Sequence, residues 1–431
     1  MFKKQIVSYI AILLFGFVLL IGCSKSEESS NDVEGSGTSS DGAKVLNVAP
    51  DAWMEEKLHL DEAINYFEDK YPDVTVNLKP YPDKDALSTF ALKWSKGETD
   101  VDIVLTDGLA NAVQFLKQDL LIDFDDTNFF EGDTAKDNFV GNTLSYANVN
   151  DTQFAIPISL ETYAVNINTE MFEEAEYVDA EGNILVPETW EEIYEYAKKL
   201  KGDGKEVTSI QWGPNAASMM LATKIAADGT YEKDGVLSYD TPKMREILEI
   251  WKKGVDDGVF SVETFTNKDA GRNAYNSGQM AMVLETGAHA AEAVSFIGEG
   301  KTDVIPIPGS DINGSRAFTA GILVPKASEE QELAIQFIQE ALMNPDIQVA
   351  VAEEWGKLPV MKAGFEKIDA DWKETLVEII EISQTAPYYS EYTVIEKNMP
   401  MHLQKYLMGD IDLDTFITIL EEEIDGIDKD I

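Results

Sequence analysis

Apolar positions recur along this chain in two alternating rhythms. Lys44 to Val48 has the length and content of a short buried strand. Leu58 to Tyr71 follows with Leu60, Ala63, Ile64 and Phe67 on one helical face. Tyr71-Pro72-Asp73 ends that helix, because proline and the residue before it resist helical geometry. Val74 to Leu78 alternates as a second strand, Ala86 to Trp94 reads as another helix, and Val101 to Leu105 as a third strand. The rhythm returns later. Pro187 to Glu192 opens a helix with Thr189 as its cap and acids in the first turn, where they suit the helix dipole. Ile193, Ala197 and Leu200 continue its apolar face. Pro242 to Gly258 carries Met244, Ile247, Leu248 and Trp251, and Glu329 to Met343 and Thr415 to Ile424 are further amphipathic helices. Strands and helices alternating at this spacing predict an α/β protein with largely parallel sheets covered on both faces. Such sheets bind ligands at the carboxyl ends of their strands.

Ahead of Lys44 the pattern breaks. Lys3 and Lys4 precede an apolar run from Tyr9 to Ile21, too short to span a bilayer comfortably and proportioned like a secretory signal. The run ends in Leu20-Ile21-Gly22-Cys23, which resembles the lipobox of bacterial lipoproteins, where cleavage precedes the cysteine and its thiol is acylated. Residues 1–22 are therefore expected as a signal peptide and Cys23 as the lipidation site. Cys23 is the only cysteine, so no disulfide can form within the chain. Residues 23–43, rich in Ser, Gly, Asp and Glu, cannot recover their ordering entropy and are expected to be a flexible tether. The expected location is the extracytoplasmic face of the cell membrane, through this anchor. The formal net charge is −45, falling to −47 without Lys3 and Lys4. So acidic a surface argues against nucleic acid, and against adhesion of the domain itself to anionic lipid. Solubility or a salty exterior accounts for it more simply than an acidic recognition surface.

Five stretches bear on the rest of the chain. They are Asp100 to Asp107, Phe154 to Asn168 with Pro157, Glu161 and Tyr163, Tyr275 to Met282 with Gly278 and Ala281, Gly321 to Lys326, and Trp355 to Val360. In this order they resemble the carbohydrate-binding solute receptors of ABC importers, the family of maltose-binding protein. The resemblance implies a periplasmic-binding-protein-like fold: two α/β lobes, each with a largely parallel sheet flanked by helices, joined by crossing hinge strands. It places residues 44–158 plus 279–321 in the N-terminal lobe and 159–278 plus 322–431 in the C-terminal lobe. The crossings would lie near Pro157–Ile167, Gln279–Val283 and Gly321–Val324.

Sugar recognition needs a flat apolar face for the C–H side of a ring and planar donors and acceptors for paired hydroxyls. On that chemistry and the resemblance, the expected ligand-binding residues are Trp53, Asp51, Asp107, Glu161, Tyr163, Trp212, Glu285, Thr286, Trp355, Tyr388 and Tyr389. Trp212, beside Gly213 and Pro214, is the expected stacking platform. Asp102 is expected to serve structure. Relatives often place a stacking tryptophan where His289 stands, which puts that contact in doubt.

No enzyme signature competes. His59, His289 and His402 are too dispersed for a helical zinc site, and no Gly-x-Ser-x-Gly elbow occurs. Gly298 to Thr302 resembles half a phosphate loop but reads as a surface turn. No metal, cofactor or catalytic residue is expected. The expected role is that of a monomeric lipoprotein that binds a sugar and hands it to ABC permease subunits. A lipid-anchored glycoside hydrolase and a receptor for a membrane sensor kinase are the alternatives.

Overall fold

The computed structural model describes residues 44–430 apart from 84, 203–207, 310–313 and 371. The expected signal peptide, Cys23 and the tether lie outside the described residues. Among the described residues, no helix is long and apolar enough to cross a membrane.

Two sheets organise the fold. The first orders β2 (Val74–Leu78), β1 (Lys44–Pro50), β3 (Ile103–Asp107), β11 (Ala320–Leu323) and β4 (Ile156–Pro157). The second orders β7 (Phe260–Ser261), β6 (Thr208–Ile210), β8 (Met282–Thr286), β5 (Glu161–Asn168) and β9 (Thr302–Ile305), with β10 (Ala317–Phe318) also on β5. Each is mixed rather than largely parallel. β1 runs parallel to β2 and β3, but β11 is antiparallel to β3 and β4. In the second sheet β6 is parallel to β7 and β8, while β5 pairs antiparallel with β8, β9 and β10. The antiparallel pairs arise where the chain crosses between lobes and returns.

The helical rhythm of the sequence is met closely: Leu60–Lys70, Ala86–Trp94, Trp190–Gly202, Pro242–Asp256, Gln331–Phe337 and Leu413–Gly426 are helices. The cap at Thr189 is reciprocal. Its hydroxyl accepts from the Glu192 N–H and its own N–H donates to the Glu192 carboxylate, both at 3.2 Å. Asp102 has the structural task expected of it, accepting from the Asn47 N–H at 2.8 Å and the Ser328 hydroxyl at 2.7 Å. At Gly298 to Thr302 the chain turns through two glycines at positive φ, and Lys301 pairs with Glu170 at 2.9 Å.

The lobes are stitched differently from the expectation. Residues 279–305 do not belong with the first sheet, because β8 pairs along its whole length with β5 and lies parallel to β6. The chain between β6 and β8 is a crossover within one lobe, and its helices cover that lobe's sheet. Gln279–Val283 accordingly makes no crossing. The chain crosses three times: at residues 158–160, between β4 and β5, at Thr319, between β10 and β11, and just ahead of Ala386. From β11 the chain stays in the first lobe, where Leu333, Phe337, Ile338, Leu342 and Val351 join Leu46, Val48, Ile103 and Leu105 in one core. Only near Ala386 does it rejoin the second, where Tyr392, Leu403, Phe416 and Leu420 pack with Trp251 and Met282. Helix Trp372–Glu381 packs on both lobes. Its Leu376 and Ile379 belong to the first core, and Leu376 also fits a gap above Gly287 of the second lobe.

Gly356 sits where the lobes touch. It has φ +73°, and a Cβ there would stand 2.5 Å from the Ala288 carbonyl oxygen. Gly97 has a similar φ of +75° with open space around it. Gly97→Ala is expected to cost about 1 kcal/mol from backbone strain alone. Gly356→Ala should cost at least about twice that in urea unfolding, and equal values would show that the lobe contact carries no constraint.

Candidate functional site

The carboxyl ends of β3 and β8 open on a cleft of about 1320 Å³ between the lobes. The first lobe contributes Trp53, Asp107, Trp355 and Lys357 to its wall, and the second contributes Glu161, Tyr163, Glu285, Thr286, Arg316 and Phe318. Trp53 is 49% exposed and meets Trp355 edge-on, with ring centroids 5.3 Å apart. The exposed Trp53 and the half-buried Trp355 therefore stand together on one side of the opening.

Lys357 organises the floor. Its ammonium lies 3.4 Å from Asp107 at the end of the first sheet and 3.1 Å from Glu161 at the start of the strand that enters the second. It also sits 3.7 Å above the Trp355 ring and 5.0 Å from that of Phe318, a geometry suited to cation–π attraction. Burial pushes its pKa down, but Asp107 and Glu161 outweigh burial and hold it above the ordinary lysine value. A raised folded-state pKa gives stability that is complete at neutral pH and is lost only as pH climbs through that raised value.

A second cluster surrounds Glu285, which is buried at the end of β8. Arg272 and Gln211 each donate to its Oε1 at 2.9 Å, and His289 Nδ1 lies 2.9 Å from its Oε2. Burial alone would raise the Glu285 pKa, yet His289, Arg272 and Gln211 bring it to about 2. A third centre is Arg316, just ahead of β10. Its side chain is 12% exposed, Nη1 donates to the Ser218 hydroxyl, and Nη2 stands 3.6 Å from Glu396.

A sequence profile described as bacterial extracellular solute-binding protein matches residues 62–376, which cover most of both sheets and the cleft between them. The chain belongs to this family. No curated protein sequence gives a significant match. Solved structures agree on the fold. Maltose-bound MalE3 of T. maritima superposes with a TM-score of 0.72 at 20% identity, over 89% of this chain and 99% of that one. The GacH receptor of Streptomyces glaucescens GLA.O, solved unliganded and with acarbose, gives 0.72 at 16% identity, over 90% and 99%. The sugar-binding protein MalE from Xanthomonas citri gives 0.74 at 15% identity, over 89% and 96%.

In this solute-binding protein seven of the expected residues meet at the cleft: Trp53, Asp107, Glu161, Tyr163, Glu285, Thr286 and Trp355. Four do not. Trp212 is 0% exposed and lies against Phe265 and Trp251 in the second core, so it offers no platform to a guest. Alternation is the reason: Trp212 shares a face with buried Ile210, while Gln211 between them turns to Glu285. Pro214 and Asn215 reach the cleft in its place. Asp51 is buried outside the lining, with its backbone bridged to Tyr81. The Tyr388 hydroxyl donates to the Tyr146 carbonyl, and Tyr389 accepts from the Leu237 N–H at 3.0 Å. Both rings are thereby committed to packing, and Ser390, Thr393, Glu396 and Lys397 line the cleft from the same segment at helical spacing. Lys357 and Arg316 were missed, since a lone cation in a chain carrying 34 of them has no distinguishing sequence pattern.

Two outcomes follow from these charges. Lys357→Met leaves Asp107 and Glu161 facing each other without their cation and should cost about 3–5 kcal/mol in urea unfolding at pH 7. A loss below about 1 kcal/mol would show that the ammonium is not the tie between the lobes. Glu285 has a depressed pKa, so its contribution is present above the ordinary value of 4.5 and is lost as pH falls through about 2. That shift corresponds to stability on the order of 3 kcal/mol. Thermal unfolding from pH 5 to pH 2 should be visibly flatter for Glu285→Gln, and an unchanged slope would remove this carboxylate from the acid limb.

Proposed function

We propose that this extracellular solute-binding protein is a lipid-anchored receptor that holds a sugar or oligosaccharide between its lobes and delivers it to the permease of an ABC importer. The observation that carries the reading is the pairing of an exposed indole, Trp53, and the half-buried Trp355 against which it rests with a wall of charged and hydroxyl side chains in one roomy cleft. A pyranose presents an apolar C–H face to aromatic rings and an edge of hydroxyls to carboxylates and cations, and the cleft matches both. The names of the structural neighbours, with maltose and acarbose among their ligands, support the same class of guest. The lipobox-like ending at Cys23 supports the anchor.

The working step is closure. A guest seated on the first lobe adds contacts to the second and favours the closed form only by its differential affinity, about 10⁴-fold to invert a 1:99 equilibrium. The segments at 158–160, at Thr319 and just ahead of Ala386 are the three connections about which the lobes turn. Binding, rather than turnover, is the expected activity; release of shorter sugars from an oligosaccharide would favour the glycoside hydrolase instead.

A thermal-shift screen against mono- and oligosaccharides should find a guest, and small-angle scattering should show compaction when it saturates the protein. Trp53→Ala and Glu161→Gln are then expected to weaken calorimetric affinity by about 10- to 100-fold each. Unchanged affinity in both variants would place the guest elsewhere.

A further inference from the structure

Recognition of a guest falls to groups on the cleft wall whose hydrogen-bonding capacity is not already consumed. Much of the charge there is. Six lysines and arginines stand against seven carboxylates, close to parity, where the chain as a whole has 34 against 79. Lys57 is taken by Glu354 at 2.6 Å, Arg272 by Glu285 at 2.9 Å, and Lys357 by Asp107 and Glu161. His289, at the start of helix His289–Ile297, is different. Its ring is held on one side and open on the other.

The held side is Nδ1. Arg272 Nε donates to it at 3.2 Å, and Glu285 Oε2 lies 2.9 Å away. These two neighbours make opposite demands. A carboxylate favours a proton on Nδ1, whereas a guanidinium has only donors, with its Nε–H fixed in the plane of the fork. An Nδ1 that accepts from Arg272 must be bare. The geometry favours the arginine, because Oε2 is buried without a hydrogen-bond partner despite its closeness to the ring. Glu285 receives its hydrogen bonds on Oε1 instead, from Gln211 and from Arg272 Nη2. One guanidinium thus clamps the carboxylate with Nη2 and the ring with Nε. A neutral imidazole with a bare Nδ1 carries its proton on Nε2.

Nε2 is the open side. It makes no hydrogen bond, yet it is not among the buried atoms left without a partner, so solvent reaches it, and His289 belongs to the cleft wall. Only 7% of the side chain is exposed, which leaves the ring no face on which a sugar could stack. One N–H is what His289 offers. We propose that His289 is a guest-recognition residue that donates Nε2–H to a hydroxyl oxygen of the saccharide, and that Arg272 is a positioning residue that fixes this tautomer. This rests on the saccharide reading of the cleft and assigns part of its specificity. A guest with a hydroxyl at this position satisfies the donor, and one without it leaves the N–H unpaired as the cleft closes.

The first test needs no guest. In protein labelled with nitrogen-15 histidine, His59→Gln and His402→Gln assign the three rings, and nitrogen shifts at about pH 8, where an ordinary imidazole is neutral, show which nitrogen holds the proton. His289 should be protonated at Nε2 and bare at Nδ1; a proton on Nδ1 would overturn the assignment. In Arg272→Met the proton should move to Nδ1, toward Glu285, and an unmoved proton would remove Arg272 from the positioning role. With the sugar that the thermal-shift screen selects, His289→Leu should weaken calorimetric affinity about 10-fold, while His289→Gln, which keeps an N–H, should stay within about 3-fold of the unaltered protein. Among monodeoxy analogues of that sugar, one should bind the unaltered protein about 10-fold more weakly than its parent and bind His289→Leu as well as its parent does. Losses that are the same in both proteins for every analogue would overturn the guest contact and leave the saccharide receptor standing. Failure of every sugar to bind would remove the receptor reading, and the guest contact with it, whatever the tautomer.

Discussion

One ammonium group stands where everything else converges. Lys357 comes from the loop after helix Pro345–Trp355, and it touches a carboxylate at the end of the first sheet and another at the head of the strand entering the second. Lys357 and Glu161 are buried and Asp107 is half-buried beside them, so the two buried charges are tolerable only because of each other. Their mutual attraction fixes the relative placement of Asp107 and Glu161. The face of Trp355 lies over the same ammonium, which orients the indole against which Trp53 rests. Polar floor and aromatic wall are thus set by a single side chain.

How much of this could be read from the sequence varies with the physics of each signal. Helix and strand positions were legible because burial imposes a period, and the 44–107 region follows the expected elements almost residue for residue. The partition of the chain between lobes was not. A strand such as Met282–Thr286 is buried on both faces and says nothing about which sheet it joins; that is decided by pairing with β5, a contact more than 100 residues away. Trp212 illustrates the same gap at a single site. Its neighbours Gly213 and Pro214 mark a loop correctly, but the ring follows Ile210 into the core. Alternation from Ile210 would have predicted it. Glu161 and Asp107 stood out through motif and strand position, whereas their partner Lys357 could be recognised only once the two sheets were brought together.

The acidity of the surface and the near-neutral cleft address different problems. An excess of carboxylates keeps the outside of the molecule soluble, and its field is largely screened beyond about 8 Å at physiological ionic strength. Inside the cleft the low dielectric makes every local charge count, and the carboxylates there are answered by cations. The long-range charge of the protein is therefore a weak guide to its guest, and the arrangement within a few ångströms of Arg316, Lys357 and Glu285 is a stronger one.

Helix Trp372–Glu381 gives the architecture a mechanical limit. It bridges the lobes, fastened to the first where the Tyr146 hydroxyl donates to the Ile380 carbonyl at 2.7 Å, and seated on the second through Leu376 above Gly287. Protein interiors are nearly incompressible. A helix held tightly by both lobes must give up or strain one of these contacts whenever the lobes move relative to each other. The two lobes thus share a leucine seat on a third element as well as the connecting strands.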